Sequence, residues 1–166
     1  MGDVKSSIET AVAYLGEHPD EARYTDSPAT AVLEEGLRVL VTDPDGHHVV
    51  TDMPASVGGG GQGPSPGWLL RAALASCGAT LIAMRAAESG VDLDRLEVTV
   101  DSESDDRGIL GMSPEIPAGP LSVRVRISIQ GPGDAMDDVV REAITRCPVH
   151  DAMARAVPVS VETVAG

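Results

Sequence analysis

The segment between Ser65 and Gly90 constrains the fold of this chain more than any other. Ser65 can cap a helix, Pro66 suits the first helical position, and Gly90 provides a C-terminal stop. About 24 residues rich in Ala and Leu lie between them, enough for a helix of roughly 36 Å. Within 69–83 the only strongly polar side chain is that of Arg71. A helix that is apolar on nearly all sides is normally buried, so the rest of the chain must pack around it.

Shorter elements are expected on both sides of this helix. In chain order they are a helix over 6–15, β-rich segments over 30–42 and 47–53, strands over 95–102 and 121–130, helices over 134–146 and 148–156, and a last strand over 157–164. Ser6 and Glu9 form a capping box at the start of the first helix, and Asp134 can cap a later one. The predicted fold class is α+β: a single domain over 1–166, with a helical extension at 1–20 and antiparallel sheets around the long central helix.

The composition indicates how the core is built and which partners are excluded. The 166 residues include no Phe, one Trp and two Tyr, so the core must rely on aliphatic side chains and Met. Such a core has few large anchors, and sharing it across a dimer interface would stabilise it. The net charge of −14, without a basic run, argues against nucleic acid and against an anionic membrane surface as partners.

The N-terminal region shows no basic segment followed by an apolar one, so we expect no signal peptide. We also expect no apolar run of transmembrane length. The predicted compartment is therefore the cytoplasm, where cysteines stay reduced unless their own chemistry is oxidation.

A glycine-rich loop precedes the long helix and matches the dinucleotide fingerprint G-x-G-x-x-G at Gly58, Gly60 and Gly63. Pro64 and Pro66 separate the last glycine from the helix, which removes the tight turn that holds a phosphate. The acidic residue expected about 20 residues further on is missing, and no lysine followed by Ser or Thr completes a P-loop. We therefore expect no nucleotide cofactor.

Metal binding is also not expected. His47 and His48 point to opposite faces of a predicted strand, and neither forms a zinc-type spacing with Asp52. His150 follows Cys147 by one helical turn, where it could tune that thiol or simply be solvated.

The two cysteines carry the sharper chemical signal. Cys77 lies near the middle of the apolar helix, where a cysteine is either a small buried apolar side chain or a shielded reactive thiol. Cys147 precedes Pro148, so it would occupy the N-cap of a short helix, where backbone N–H groups favour a thiolate. It could equally be a helix break that happens to carry a thiol. The cysteines are 70 residues apart without a C-x-x-C motif, so their spacing alone does not pair them.

Several short motifs occur in one order along the chain. They are Gly58-Gly59, residues 63–66, Leu69-Leu70, residues 72–77, Arg107-Gly108-Ile109-Leu110-Gly111, Cys147-Pro148-Val149 and Val157-Pro158-Val159. In these motifs the chain resembles the OsmC/Ohr family, named for osmotically inducible protein C and organic hydroperoxide resistance protein. The resemblance extends from about Val49 to Val164, and it is the two cysteine motifs together that make it specific.

The resemblance implies an intertwined α+β homodimer with active sites at the dimer interface. It also implies a cytoplasmic, peroxiredoxin-like antioxidant enzyme of the stress response that reduces organic hydroperoxides. Cys77 would attack the peroxide and become a sulfenic acid, and Cys147 would resolve it to a redox-active disulfide. A dithiol reductant would then restore both thiols. No cofactor is implied.

The family pattern also calls for a cation beside the first cysteine. In the hydroperoxide-resistance branch an Arg activates the thiolate, and a Glu ten residues before that cysteine holds the Arg; Gly67 stands at this position here. We expect Arg38 to be the activating residue, with Arg23 as second candidate. Gly67 fits the looser OsmC-like branch better, which leaves a second hypothesis: a non-catalytic dimeric protein of the same fold that binds apolar ligands or serves the stress response.

Overall fold

The computed structural model of the chain describes residues 2–130 and 136–164. Its helices are α1 (Gly2–Glu17), α2 (Pro66–Glu88), α3 (Asp106–Ile109), α4 (Met136–Thr145) and α5 (Pro148–Ala154), with short 3-10 helices at Pro19–Ala22 and Ala55–Val57. Its strands are β1 (Thr30–Leu33), β2 (Val39–Thr42), β3 (His48–Thr51), β4 (Arg95–Glu103) and β5 (Ser122–Gln130). The architecture is α+β with small antiparallel sheets and a long helix, as the sequence predicted.

The chain separates into two compact units. One comprises Leu74–Gly166 together with the first residues of the chain, and the other comprises Ser6–Ala73. The boundary falls inside α2, so this helix contributes to both units.

The long helix α2 begins and ends where the sequence predicted. The Ser65 Oγ accepts a hydrogen bond from the Trp68 N–H at 3.2 Å, which is the expected N-cap geometry. At the other end Gly90 has a left-handed backbone (φ +69°), and its N–H and that of Val91 bond back to carbonyls of the last turn. The capping signals therefore act locally, as they do in isolated helices.

The apolar core lies in the unit that starts at Leu74. The side chains that form it come from α2 and α4, with Ile82, Ala86, Val139 and Ala143 at its centre. The β4–β5 pair covers one side of this cluster through inward-facing positions, which pair as Leu96 with Ile129 and Val98 with Ile127. Burial alternates along β5 from Val125 to Gln130, where Val125, Ile127 and Ile129 are half-buried and the residues between them are exposed.

The unit Ser6–Ala73 contains an antiparallel sheet in the order β1–β2–β3. The sequence predicted one continuous β-rich segment over 30–42, and this is wrong: β1 and β2 are two strands, with Leu33 paired to Val39. The turn between them depends on Gly36, which takes φ +60°, a conformation that side chains with a Cβ rarely adopt. The predicted hairpin at Asp45-Gly46 is present between β2 and β3.

Two other elements, helices α1 and α3, differ from prediction. Helix α1 starts at Gly2 and not at Ser6, with Asp3 in its first turn, where a negative charge favours the helix N-terminus. The short helix α3 was not predicted; Asp105 caps it by accepting the Arg107 N–H. The predicted cap Asp134 lies outside the described residues.

The predicted last strand over 157–164 is also wrong. This segment has no regular secondary structure and pairs with no strand among the described residues. Its side chains are open to solvent: Val159 is 84% exposed, Val161 89% and Val164 83%. Alternating apolar residues favour a strand only where another backbone supplies hydrogen bonds.

By length and composition α2 could cross a membrane, and in the part of the chain that the structure describes it is the single helix that could. The expectation that no segment reaches this length is therefore wrong for α2. The core helix of a water-soluble protein passes the same test, and α2 does contribute Leu74, Ile82 and Ala86 to the protein interior.

Candidate functional site

Cys77 is held on α2 by a stripe of buried residues spaced one turn apart. Leu74, Gly78, Ile82 and Ala86 face the interior, which fixes the rotation of the helix and leaves Cys77 half-buried beside the stripe. A Cβ on Gly78 would lie at van der Waals distance, 3.6 Å, from the Ile144 Cδ1, so α4 packs against this face of α2 one residue from the thiol.

Cys147 occupies the N-cap of α5, as the sequence predicted. Its backbone is extended (φ −74°, ψ 114°), and Pro148 takes the first helical position. The side chain is fully buried and makes no capping hydrogen bond of its own.

The two thiols meet in space although 70 residues separate them. The Cys147 Sγ lies 2.9 Å from the Cys77 Sγ, and both cysteines are free. A disulfide has a sulfur–sulfur distance of about 2.05 Å, so less than 1 Å of approach separates this dithiol from a bond.

The environment of Cys77 combines opposing influences on its pKa. Burial is the largest and raises the pKa; the hydrogen bond that the Cys77 thiol shares with Cys147 raises it further, while the Val149 N–H lowers it. The net effect is a raised pKa. The amide at the start of α5, expected from sequence to serve Cys147, is thus directed at the sulfur of Cys77.

Removing the neighbouring thiol is expected to lower the pKa of Cys77. In Cys147→Ala the hydrogen bond and the charge of Cys147 both disappear, and each of them raises the pKa of Cys77. The measurement is the rate of iodoacetamide alkylation as a function of pH. In Cys147→Ala this rate should reach half its maximum at a lower pH than in wild type. Mass mapping would confine the measurement to Cys77. An unchanged or higher midpoint would contradict the geometry.

A cleft of about 390 Å³ is lined by residues one helical turn from each cysteine, although neither cysteine lines it. Its walls are Leu74 from α2, the segment Pro120–Val123 with Val125 from β5, and His150, Met153 and Ala154 from α5. Leu74 precedes Cys77 by one helical turn, and His150 follows Cys147 by one. The cleft is mostly apolar and has the size of a small-ligand site.

The arginines of this unit are already engaged by carboxylates. Within the described residues the pairs are Arg85–Glu88, Arg95–Glu97, Arg107–Asp105, Arg124–Asp101, Arg126–Asp101, Arg141–Asp138, Arg146–Glu142 and Arg155–Asp151. The groups that shift the pKa of Cys77 include none of these guanidinium groups.

The two sequence candidates for an activating cation belong to the other unit. Arg38 follows the turn after β1, and its Nε donates to the Glu34 Oε2 at 2.7 Å. Arg23 follows the 3-10 helix Pro19–Ala22 and is exposed. Arg38 therefore already has a carboxylate that orients its guanidinium, although Gly67 replaces the family's Glu.

The glycine-rich loop binds a carboxylate of the protein itself. The buried Asp52, 2% exposed, accepts the Gln62 N–H at 3.0 Å, the Gly60 N–H at 3.1 Å and the Met53 N–H at 2.7 Å. A Cβ on Gly59 would lie 1.8 Å from the Met53 carbonyl oxygen, which explains a glycine there. The amides that would cradle a phosphate are thus occupied, in agreement with the expectation that this fingerprint match is fortuitous.

Three potential metal ligands lie close together at the β2–β3 hairpin, although their spacing along the chain is not that of a zinc site. Asp43, Asp45 and His47 place one potential ligand atom each within 4.8 Å of one another at the β2–β3 hairpin. Asp43 also accepts the backbone N–H of His47 at 2.9 Å and contacts its ring at 2.7 Å. Stabilisation of the hairpin turn accounts for this arrangement.

A half-buried thiol on a long helix, in contact with a buried thiol at the N-cap of a short one, defines a helix-borne dithiol site. The family model described as OsmC-like protein matches residues 59–162 of the 166. The chain therefore belongs to the OsmC-like family. No curated protein sequence matches the chain significantly.

Solved structures of the same family share the fold. The OsmC-like protein from Mycoplasma pneumoniae superposes with a TM-score of 0.69 at 17% identity, covering 81% of this chain and 91% of that one. The organic hydroperoxide resistance protein OsmC from Legionella pneumophila gives 0.61 at 24% identity, with 79% and 90% covered. OhrB of Bacillus subtilis, an organic hydroperoxide resistance protein, gives 0.51 at 21%, with 78% and 90% covered.

Proposed function

We propose that the chain is a thiol-dependent peroxidase that reduces organic hydroperoxides in the cytoplasm as part of stress defence. The observation that carries this proposal is the 2.9 Å separation of the Cys77 and Cys147 sulfurs, with an apolar cleft lined by residues one helical turn from each. A structural cysteine gains nothing from a second thiol at this distance, whereas a dithiol catalyst requires one.

The reaction proceeds in two displacements at sulfur. The Cys77 thiolate attacks the outer oxygen of the hydroperoxide, forming an S–O bond while the O–O bond breaks and an alkoxide leaves to become the alcohol. The Cys147 thiol then attacks the sulfur of the Cys77 sulfenic acid, and its proton goes to the leaving hydroxide, so that the disulfide forms and water is released. An external dithiol reduces the disulfide and restores both thiols.

The difference in exposure supports this assignment of roles. Cys77 is half-buried, whereas Cys147 is 0% exposed. A peroxide in solution must reach the attacking sulfur, while the resolving thiol needs to reach only its neighbour.

Arg38 is the cation that we assign to activation of Cys77. The raised pKa of this thiol means that too little thiolate would form at neutral pH without a positive charge nearby. The Glu34–Arg38 ion pair supports the assignment, because it supplies the carboxylate that the family places at the position of Gly67. Arg23 remains the second candidate.

The proposal is tested by treating the reduced protein with one equivalent of cumene hydroperoxide. Intact mass should show the loss of two hydrogens, and peptide mapping should locate a Cys77–Cys147 disulfide. Recovery of two free thiols after the peroxide is consumed would refute the mechanism.

We also propose that the chain works as a homodimer of one domain over 1–166, with 1–20 as a helical extension. The described residues of the unit Ser6–Ala73 include no fully buried apolar side chain, and both units expose large ones, such as Leu33 and Ile109. A second copy would cover such surface. Light scattering after size exclusion is expected to give twice the mass of one chain; a monomer at micromolar concentration would contradict this.

The cleft favours a second candidate function, a dimeric binder of apolar ligands without catalysis. In that case Cys77→Ser would bind a fatty acid as tightly as wild type does, and wild type would form no disulfide with cumene hydroperoxide. The same two measurements therefore separate the candidates.

A further inference from the structure

We infer that His150 is the proton donor to the alkoxide that leaves when Cys77 attacks a hydroperoxide bound in the cleft. This inference rests on the proposed peroxidase function and assigns a role that the two cysteines and Arg38 do not fill.

The reaction needs such a donor because its first leaving group is strongly basic. When the O–O bond of an alkyl hydroperoxide breaks, its electron pair remains on the alkoxide oxygen, which must gain a proton to become the alcohol. A positioned acid commonly accelerates a step of this kind by about 10²- to 10⁴-fold. Arginine holds its proton too tightly to serve, so Arg38 can stabilise the thiolate but cannot supply the proton.

The cleft contains one side chain that can supply this proton. Among the described residues that line it, His150 is the only ionisable one, and Ser122 is the other polar one. The remaining walls from α2, from the start of β5 and from α5 are apolar. The next charged residue of α5, Asp151, is paired with Arg155.

The position of His150 suits the geometry of the reaction. It lies one turn after Cys147 on α5 and lines the cleft together with Leu74, which lies one turn before Cys77. Val149, the residue before His150, directs its N–H at the Cys77 sulfur, so a peroxide whose organic part lies in the cleft and whose O–O bond reaches Cys77 would have its inner oxygen on the side of α5 that carries His150. Imidazole exchanges protons near neutral pH, so it can donate one and be reprotonated between turnovers.

The two halves of the reaction then balance in protons. His150 in its imidazolium form gives one proton to the alkoxide and becomes neutral. The neutral imidazole can next accept the proton of the Cys147 thiol as that thiol attacks the sulfenic acid, and pass it to the hydroxide that leaves as water. The proton that Cys77 released to solvent when it formed its thiolate then restores the imidazolium. Two thiols and one hydroperoxide yield one disulfide, one alcohol and one water.

A leaving-group experiment distinguishes proton donation from a structural role. Single-turnover oxidation of Cys77 is measured for wild type, His150→Ala and His150→Gln, with cumene hydroperoxide and with a peroxycarboxylic acid. The peracid releases a carboxylate, which is weakly basic and needs no proton. Both variants should lose about 10²-fold with cumene hydroperoxide, yet stay within about threefold of wild type with the peracid. Added imidazole should restore part of the His150→Ala rate.

The control variant is His48→Ala, an exposed histidine of β3, which should match wild type with both oxidants. Equal rates for wild type and both His150 variants with cumene hydroperoxide would overturn the inference. Equal losses with both oxidants, without rescue by imidazole, would also overturn it, since that is the result of disturbed packing. If wild type itself reacts with neither oxidant, the proposed function fails first.

Discussion

Replacing Cys77 by serine is expected to lower the rate of organic hydroperoxide consumption by roughly three orders of magnitude or more, to the uncatalysed level. A serine hydroxyl is not ionised near neutral pH and cannot take up the peroxide oxygen as a stable sulfenic acid does. The measurement is the peroxide consumed with excess dithiol present, at equal concentrations of wild type and variant.

Cys147→Ser is the matched variant, since it removes the second thiol of the same pair. It should complete the first turnover and stop at the sulfenic acid, which dimedone will trap on Cys77 as a mass adduct. Wild type should give little adduct, because Cys147 at 2.9 Å resolves the sulfenic acid before the trap can react. If Cys77→Ser consumes peroxide at the wild-type rate, Cys77 is not the nucleophile.

The second large effect is expected at Asp52, where a substitution should destabilise the protein. Asp52→Asn replaces one of two acceptor oxygens with an NH₂ group, which cannot accept the N–H groups of the glycine loop. The melting temperature at pH 7 should fall by on the order of 5 °C. Asp26→Asn, which changes an exposed carboxylate before β1, is the control and should melt as wild type does.

The pH dependence of this effect has a defined sign. The pKa of Asp52 lies below its ordinary value of 3.8, and the largest cause is the hydrogen bond from the Gln62 N–H. Burial opposes this lowering. The Met53 and Gly60 amides and the charge of Arg38 add to it. A carboxylate whose pKa is lowered in the folded state stabilises the protein at pH values above the pKa that it has in the unfolded state. This contribution is lost as the pH falls from the unfolded pKa through the folded one. The difference in melting temperature between wild type and Asp52→Asn should therefore be constant at neutral pH and shrink below pH 4. A difference that grows on acidification would contradict the assignment.

Elements that depend on signals within a few residues could be predicted from sequence. Helix α2 follows from Ser65, Pro66 and Gly90, since capping hydrogen bonds join residues three to five positions apart. Strand β5 follows from its alternation. The segment over 157–164 has the same alternation and forms no strand, because strand pairing needs a second backbone that sequence pattern does not supply.

In the glycine-rich loop, too, the local conformation could be predicted from sequence but the long-range contact could not. Its composition predicted a loop, and the two prolines argued against a nucleotide. The actual ligand of its amides is Asp52, eight residues before Gly60, and no motif marks that contact. The close approach of Gly59 to the Met53 carbonyl is likewise visible only in three dimensions.

The sequence by itself determined which helices carry the two cysteines and, through the motifs around them, the family to which the chain belongs. Only the tertiary structure decided that the sulfurs lie 2.9 Å apart, that Cys77 is the accessible thiol, and that the Val149 N–H is directed at Cys77. The physical reason is that caps and alternation are set by neighbours along the chain. The reactivity of a thiol is set by whatever packing brings to it, in this case from 70 residues away.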